Sequence, residues 1–114
     1  MSNQKNDSFF IKKMIDDIDD IASILKDVEI EEFSSNQMMS DSTVFRLIQI
    51  SENIRQISDG LKSTVDYDWF KVSGMRNRLV HDYGNVDFGI VFNTAKNNLP
   101  ELRDVLNRMI QLTK

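Results

Sequence analysis

The chain has 114 residues, a length that suits one domain with a modest core. It has no cysteine, which excludes disulfides, a thiol nucleophile and zinc sites with cysteine ligands. The net charge of −4 argues against a high-affinity nucleic-acid scaffold, because phosphate contacts dominate such binding, but it leaves room for an enzyme that holds RNA briefly at a local basic site.

The composition and the first residues bear on where the protein works. Hydrophobic residues make up 40% and charged residues 28%, which is typical of a soluble globular domain. No apolar run approaches the roughly 20 residues of a membrane span, and residues 1–7 carry no apolar signal core. We expect a single domain over residues 1–114 with a flexible lead-in at 1–7, located in the cytoplasm without membrane contact.

The first predicted element is an amphipathic helix. With one proline, four glycines and no alternating apolar pattern, strands have little support, whereas helical periodicity is strong. The apolar side chains of this helix recur at steps of three and four: Ile11, Met14, Ile15, Ile18, Ile21, Ala22 and Leu25. Asp16, Asp17, Asp19 and Asp20 fill the other face, which we interpret as solvated rather than as a metal site.

A less ordered stretch and a second helix follow. Residues 29–42 are predicted to form a loop or a short helical turn. Asp41 is a good N-cap for the second helix, which should end near Gly60. Its apolar positions are Val44, Leu47, Ile48, Ile50, Ile54, Ile57 and Leu61.

Two further helices complete the predicted fold. The third should start after Asp66 or Asp68 and stop at Gly84, since glycine is favoured just past a helix end. Asp87 can cap the fourth, whose apolar phase continues across Pro100, so we expect a kink or brief break there. The sequence therefore predicts an all-α, up-and-down bundle of four main helices.

The third helix carries the only candidates for catalysis. At 100° per residue, Arg76 and Tyr83 fall within its apolar stripe of Trp69, Val72, Leu79 and Val80. An arginine on such a stripe is costly unless it is paired or faces a cleft or a partner. His81, the single histidine, lies off that line, with Asn77 on its side. An intact helix would not bring Arg76 and His81 together, so either the helix end unwinds or a second copy supplies the missing groups.

Each of these residues also has an ordinary interpretation. A histidine near a helix C-terminus is often a favourable partner for the helix dipole. An arginine on a helix flank is often a surface ion pair, and a tyrosine often belongs to the core. The three together, around the only histidine, make the ordinary interpretation weaker.

At this point the sequence resembles a known family. The segment from Trp69 to Asp87, WFKVSGMRNRLVHDYGNVD, resembles the signature of HepT-like proteins in the HEPN superfamily. Their motif is Arg, four to six residues, His, any residue, Tyr, and here it is Arg76, His81 and Tyr83. The resemblance covers residues 8–112. One departure is that Ser51 stands where these proteins often have glycine before Glu52.

The resemblance implies a fold and an activity. Such proteins are all-α homodimers in which two motifs meet in one cleft, and characterised relatives cut RNA without a metal or cofactor. Arg76 and His81 would be catalytic; Asn77, Tyr83, Arg78 and Glu52 would bind substrate or support the site, and Lys71 would add local positive charge. RNA carries its own 2′-hydroxyl nucleophile, so cleavage needs an acid and a base, which imidazole can be, and positive charge, which arginine supplies.

The resemblance also implies a partner. These proteins are toxins paired with a minimal nucleotidyltransferase antitoxin, which in some systems adds AMP to the motif tyrosine, here Tyr83. Residues seven apart share a helix face, so the Tyr83 hydroxyl should lie beside Arg76.

Two alternatives stay open. One is a non-catalytic subunit that recruits substrate to a nucleotidyltransferase, which would not need the complete motif. The other is a structural homodimer, which Arg76 paired to a buried carboxylate such as Glu52 would indicate.

Overall fold

A computed structural model describes residues 6–113, and over this range the fold is α-helical without strands, so the all-α prediction is confirmed. The elements in chain order are α1 (Asp7–Ile24), α2 (Ile30–Ser35), α3 (Gln37–Gln56), α4 (Asp59–Lys62), α5 (Phe70–Ser73), α6 (Arg76–His81), a 3₁₀ turn (Tyr83–Asn85), α7 (Phe88–Asn93), a π-helical segment (Thr94–Asn98) and α8 (Leu99–Leu112).

The core lies where α1 packs against α3 and α8. The residues fully withdrawn from solvent there include Ile11, Met14, Leu47, Ile50, Leu102, Leu106 and Met109. This set follows the apolar periodicity of each helix, because a helix is held in place mainly by burying one face. No helix in residues 6–113 is both long and apolar enough to cross a membrane.

The start of α1 is fixed by a side-chain cap. Asn6 accepts a hydrogen bond of 3.0 Å from the backbone N–H of Phe9, and Asp7 begins the helix. The carboxylate of Asp7 also accepts hydrogen bonds from the backbone and side chain of Ser58. The predicted flexible lead-in therefore does not extend to Asn6 and Asp7, and residues 1–5 lie outside the described range.

The second helix begins earlier than predicted. Residues 30–35 form α2, held by the fully buried Phe33, and α3 follows from Gln37. Its N-cap is Asn36, whose side chain accepts from the N–H of Met39 at 3.1 Å. Asp41 is therefore inside α3, and its assignment as the cap was wrong: asparagine caps as well as aspartate does. The helix ends at Gln56, and the predicted end near Gly60 falls in the separate α4.

The predicted third helix is two short helices, α5 and α6, joined by a turn at Gly74 and Met75. Gly74 is required by close approach, because a Cβ there would lie 2.7 Å from the backbone oxygen of Phe70. The chain leaves the helix at His81, so the prediction that it continues to Gly84 was wrong. Gly84 lies in the 3₁₀ turn without a positive φ, so it is not the left-handed cap that was expected.

Two predictions for the last helix are confirmed. Asp87 caps α7, accepting hydrogen bonds from the N–H groups of Gly89 and Ile90 at 2.8 and 3.4 Å. The pattern breaks just before Pro100, where Thr94–Asn98 winds as a π-helix before α8 begins. A proline lacks the N–H that a continuous helix needs, so the ladder is interrupted there while the apolar face keeps its direction.

Candidate functional site

Arg76 is held by a carboxylate from a neighbouring helix. It is the first residue of α6, and its Nε atom lies 2.9 Å from Oε1 of Glu52 in α3. Its Nη1 lies 3.3 Å from the side-chain oxygen of Asn77, the polar residue that follows it. The same Glu52 oxygen is 3.8 Å from Arg55. The Glu52 side chain is 44% exposed as a whole, but the two paired atoms, Glu52 Oε1 and Arg76 Nε, are buried, so the pairing also fits the structural alternative. Glu52 orients a guanidinium that stays partly accessible.

Ser51 fixes the backbone next to this pair. Its side chain is fully buried, and its hydroxyl lies 2.9 Å from the carbonyl oxygen of Leu47 and 3.1 Å from that of Val72. The contact with Val72 ties α3 to the last turn of α5, where the Val72 carbonyl also accepts from the backbone N–H of Met75 at 3.0 Å. The serine that replaces the glycine of similar proteins thus holds the segment that leads into Arg76.

His81 is the last residue of α6 and is exposed. Within residues 6–113, its imidazole makes no hydrogen bond or ion pair. Five helical steps place it about 140° around α6 from Arg76. Since α6 stays wound through His81, unwinding does not unite the two side chains, and Asn77 turns to Arg76 rather than to His81. One chain by itself therefore does not assemble the pair.

Tyr83 lies in the 3₁₀ turn after α6, and its hydroxyl donates a hydrogen bond to Asp41 of α3. Its ring packs edge-on against Phe88, with centroids 5.9 Å apart. Burial, the hydrogen bond to Asp41 and the negative charge of Asp41 raise the pKa of Tyr83 to about 12. At neutral pH it is thus a neutral hydroxyl. No local feature pointed to Asp41 as the partner of Tyr83, because the two residues are 42 positions apart in the chain.

The two anchoring carboxylates are far apart. Asp41 and Glu52 share one face of α3, but eleven residues of helix separate them by about 16 Å. The Tyr83 hydroxyl is therefore not beside Arg76, and that prediction was wrong. Residues seven apart share a face only within one continuous helix, and this helix ends at His81, before Tyr83.

The surface around the motif exposes apolar side chains. Val80, predicted on the buried stripe, is 42% exposed, because the shorter α6 turns it outward. Other large apolar residues in contact with solvent on nearby helices are Met38 and Phe45 of α3, Phe70 of α5 and Ile90 of α7. Phe45 lies on the same face of α3 as Asp41 and Glu52.

Lys71 and Arg78, the two basic residues expected to support RNA binding, differ in their surroundings. Lys71 Nζ lies 3.1 Å from Oε1 of Glu101, so its charge is already compensated. Arg78 is exposed and forms no ion pair with any part of the chain that the structure describes. Arg78 is thus the free cation next to the motif.

The aspartates of α1 are partly structural. Asp17 and Asp20 both contact Arg46, at 3.0 and 2.9 Å, and Asp19 contacts Arg103 at 2.7 Å. The expected solvated face is therefore tied to α3 and α8 by ion pairs. Among residues 6–113, no three His, Asp or Glu side chains are grouped so that they could hold a metal ion.

Comparison with known proteins adds to this geometry. Residues 14–109 match the family model described as "Ribonuclease HepT-like". A protein of Methanocaldococcus jannaschii described as a "putative RNase" is 31% identical over 103 residues, which is 90% of this chain and 85% of that protein. Another with the same description from that organism is 30% identical, covering 90% of this chain and 89% of that protein.

A more distant relative shares the description. It is a "putative RNase" of Caldanaerobacter subterraneus subsp. tengcongensis, 21% identical over 106 residues, covering 92% of this chain and 95% of that protein. No solved structure matches the chain at a significant level. The family match thus spans the positions of Arg76, His81 and Tyr83.

Proposed function

Because this chain belongs to the HepT-like ribonuclease family, we propose that it is a metal-independent endoribonuclease that cuts RNA by attack of the 2′-hydroxyl on the adjacent phosphate. The observation that supports this best is the contrast within the motif: Glu52 holds Arg76 in place, while His81 is exposed and has no partner in residues 6–113. A fixed cation suits charge stabilisation, and a free imidazole suits proton transfer.

The chemistry needs two proton transfers. The 2′-oxygen bonds to phosphorus and loses its proton to a neutral imidazole, while the bond from phosphorus to the 5′-oxygen breaks and that oxygen takes a proton from an imidazolium. The products are a 2′,3′-cyclic phosphate and a 5′-hydroxyl. One His81 can serve both steps in turn, because the imidazolium that forms when it takes the 2′ proton is the acid that the 5′-oxygen needs. Proton transfer of this kind contributes about 10²–10⁴ in rate.

Arg76 stabilises the charge that develops on phosphorus. Glu52 occupies its Nε and Asn77 its Nη1, so Nη2 is left to donate to a phosphate oxygen. A guanidinium held in this way needs little reorganisation during the reaction. Glu52 and Asn77 are then positioning residues, and Arg78 supplies a second cation for the RNA backbone.

The active form is a homodimer in which each site takes Arg76 from one copy and His81 from the other. Within one chain these side chains point about 140° apart, so the missing partner has to come from outside. The exposed Phe45, Phe70 and Val80 near the motif provide an apolar surface for such an interface.

We assign the chain as the toxin of a toxin–antitoxin pair that acts in the cytoplasm, with a minimal nucleotidyltransferase as antitoxin that silences it by adding AMP to Tyr83. In that transfer, the Tyr83 oxygen bonds to the α-phosphorus of ATP, pyrophosphate leaves, and Asp41 accepts the hydroxyl proton. The contact between Tyr83 and Asp41 supports this role, because the carboxylate already receives the proton that must leave. Added AMP would block the entry of RNA by its bulk and its charge.

Two experiments test the proposal. The purified protein should cut single-stranded RNA in excess EDTA and leave 2′,3′-cyclic phosphate ends, while DNA and 2′-O-methyl RNA stay intact. Cutting that disappears with EDTA and returns with magnesium would contradict the mechanism, and no cutting at all would favour the substrate-recruiting subunit.

Co-expression with a genetically linked nucleotidyltransferase should add the mass of AMP to Tyr83, and Tyr83→Phe should prevent it. Modification of Tyr67 instead would contradict the assignment.

A further inference from the structure

A small pocket lies between α6, the 3₁₀ turn and α7, and none of the roles assigned above uses it as a binding site. Its volume is about 90 Å³. The buried side chains of Leu79 and Val91 contribute to its apolar floor. Its polar lining comes from Arg78, Asp82, Asn85 and Asp87.

The pocket lies close to His81, the residue proposed to transfer protons. Arg78, which lines it, lies three residues before His81 on α6, so the two side chains are about 60° apart around the helix. Arg76 points to the other side, towards Glu52. A nucleotide whose base entered this pocket would therefore have its sugar and phosphate close to His81.

The size and lining of the pocket restrict its occupant. The volume is far below the roughly 300–1,000 Å³ of sites that enclose a whole small ligand. An apolar side chain would leave the two carboxylates of the lining without partners, at a cost in desolvation. A phosphate would face two carboxylates and one guanidinium. A neutral planar ring with apolar faces and N–H donors on its edge can pack against the apolar floor and donate hydrogen bonds to the carboxylates of the lining.

The acceptors for such a ring are available. Asp82 uses one oxygen, Oδ1, to accept from the Asn85 amide at 2.8 Å. Asp87 uses its own Oδ1 to cap α7. The Oδ2 atom of each carboxylate is bonded to nothing in residues 6–113 and can accept from an amino group, as aspartate does from N4 of cytosine.

We propose that this pocket binds one nucleobase of the RNA next to the cutting point, and that it prefers cytosine over uracil. The two bases have the same shape, but cytosine presents an exocyclic amino group where uracil presents an oxygen that the carboxylates repel. The small volume favours a single-ring base, and Arg78 of the lining supplies a cation for the phosphate of the same nucleotide. This inference rests on the proposed ribonuclease function and adds its base preference.

The first test uses cleavage. A single-stranded oligouridine RNA with one cytidine should be cut at a fixed position relative to that cytidine, roughly 5- to 150-fold faster than elsewhere, which is the range for one good polar contact to a base. Asp82→Asn should lower this ratio, because its amide can donate to uracil O4. Asp16→Asn, an exposed aspartate on α1, removes the same charge and should keep the ratio. Cutting without preference, or an unchanged ratio in Asp82→Asn, would overturn the inference.

The second test does not need catalysis. Cytidine 3′-monophosphate should shift the NMR signals of the Asn85 side-chain amide and the Leu79 backbone amide, and uridine 3′-monophosphate should shift them less. Such shifts in a protein that cuts no RNA would support the pocket and reject the proposed function. RNA cutting without shifts here would support the function and reject the pocket as a base site, leaving a partner's side chain as its occupant.

Discussion

The Nε atom of Arg76 lies 2.9 Å from Oε1 of Glu52, so the motif arginine is anchored to the long helix α3 rather than to its own short helix. An α-helix of six residues such as α6 has little stability of its own, and its side chains are placed by what they pack against. The orientation of Arg76 thus depends on a residue outside the motif.

Glu52→Gln is expected to reduce RNA cleavage by about ten- to a hundredfold, since small displacements of a catalytic group have effects of that size. The loss should fall on kcat, and Glu52→Asp should recover part of it. The melting temperature should fall only modestly, because both side chains remain partly exposed although the two paired atoms are buried. Arg55→Gln is the control, as it removes only the outer contact at 3.8 Å. Full activity in Glu52→Gln would show that Arg76 needs no anchor.

The contact between Tyr83 and Asp41 predicts a pH dependence. Because the folded chain raises the pKa of Tyr83 to about 12, its contribution to stability is complete below pH 10 and is lost as the pH rises towards 12. In a Tyr67→Phe background, phenolate absorbance should show Tyr83 titrating near 12, and Asp41→Asn should lower that pKa in part, because burial of Tyr83, the larger cause of the shift, remains. A wild-type midpoint near 10, or no shift in Asp41→Asn, would contradict this account.

Ser51 should matter for stability. Ser51→Ala removes the hydroxyl that joins α3 to α5 and should lower the free energy of unfolding by about 0.5–1.5 kcal/mol, the net contribution of one hydrogen bond, because the Val72 carbonyl keeps its bond from the Met75 N–H. Ser51→Gly should cost about 1 kcal/mol more through helix propensity. Urea denaturation measures both, with the exposed Ser23→Ala as the matched control. Equal stability of Ser51→Ala and wild type would mean that the hydroxyl does not hold α5.

The dimer interface can be located by introducing a negative charge at an exposed apolar residue. Wild type should sediment at twice the chain mass at micromolar concentration. Phe45→Glu should yield monomers, whereas Leu112→Glu, at nearly the same exposure near the C-terminus, should stay dimeric. Phe45 is 58% exposed, so its substitution should not disturb the core. A monomeric wild type, or dimers that survive Phe45→Glu, would exclude this face as the interface.

Much of the fold follows from local sequence. The apolar steps of α1, α3 and α8 predict most of their buried faces, because helical periodicity places these residues on one side. Ala22 of α1 is exposed and Ser51 of α3 is buried, against that pattern. Asp87 and Pro100 were interpreted correctly, since a cap and a missing N–H act within one turn. The break between α5 and α6 was not predicted, because the close approach of Gly74 to Phe70 depends on the folded backbone.

The motif nominated Arg76, His81 and Tyr83 and set Glu52 among the supporting residues, but it could not predict how these side chains are arranged. The partner of Tyr83, Asp41, could not be found, because it is 42 residues away and has the sequence features of a helix cap. The prediction that Tyr83 lies beside Arg76 assumed one continuous helix. It failed because α6 ends at His81, before Tyr83.

The most direct test of the shared site is complementation between two inactive variants. Wild type should cut RNA in EDTA, while Arg76→Ala and His81→Ala should each be inactive with unchanged helical circular dichroism. If each site takes Arg76 from one copy and His81 from the other, mixing the two variants should restore about a quarter of wild-type activity, because half of random dimers are heterodimers with one complete site each. A mixture that remains inactive while wild type cuts, or a wild type that does not cut RNA, would contradict the account.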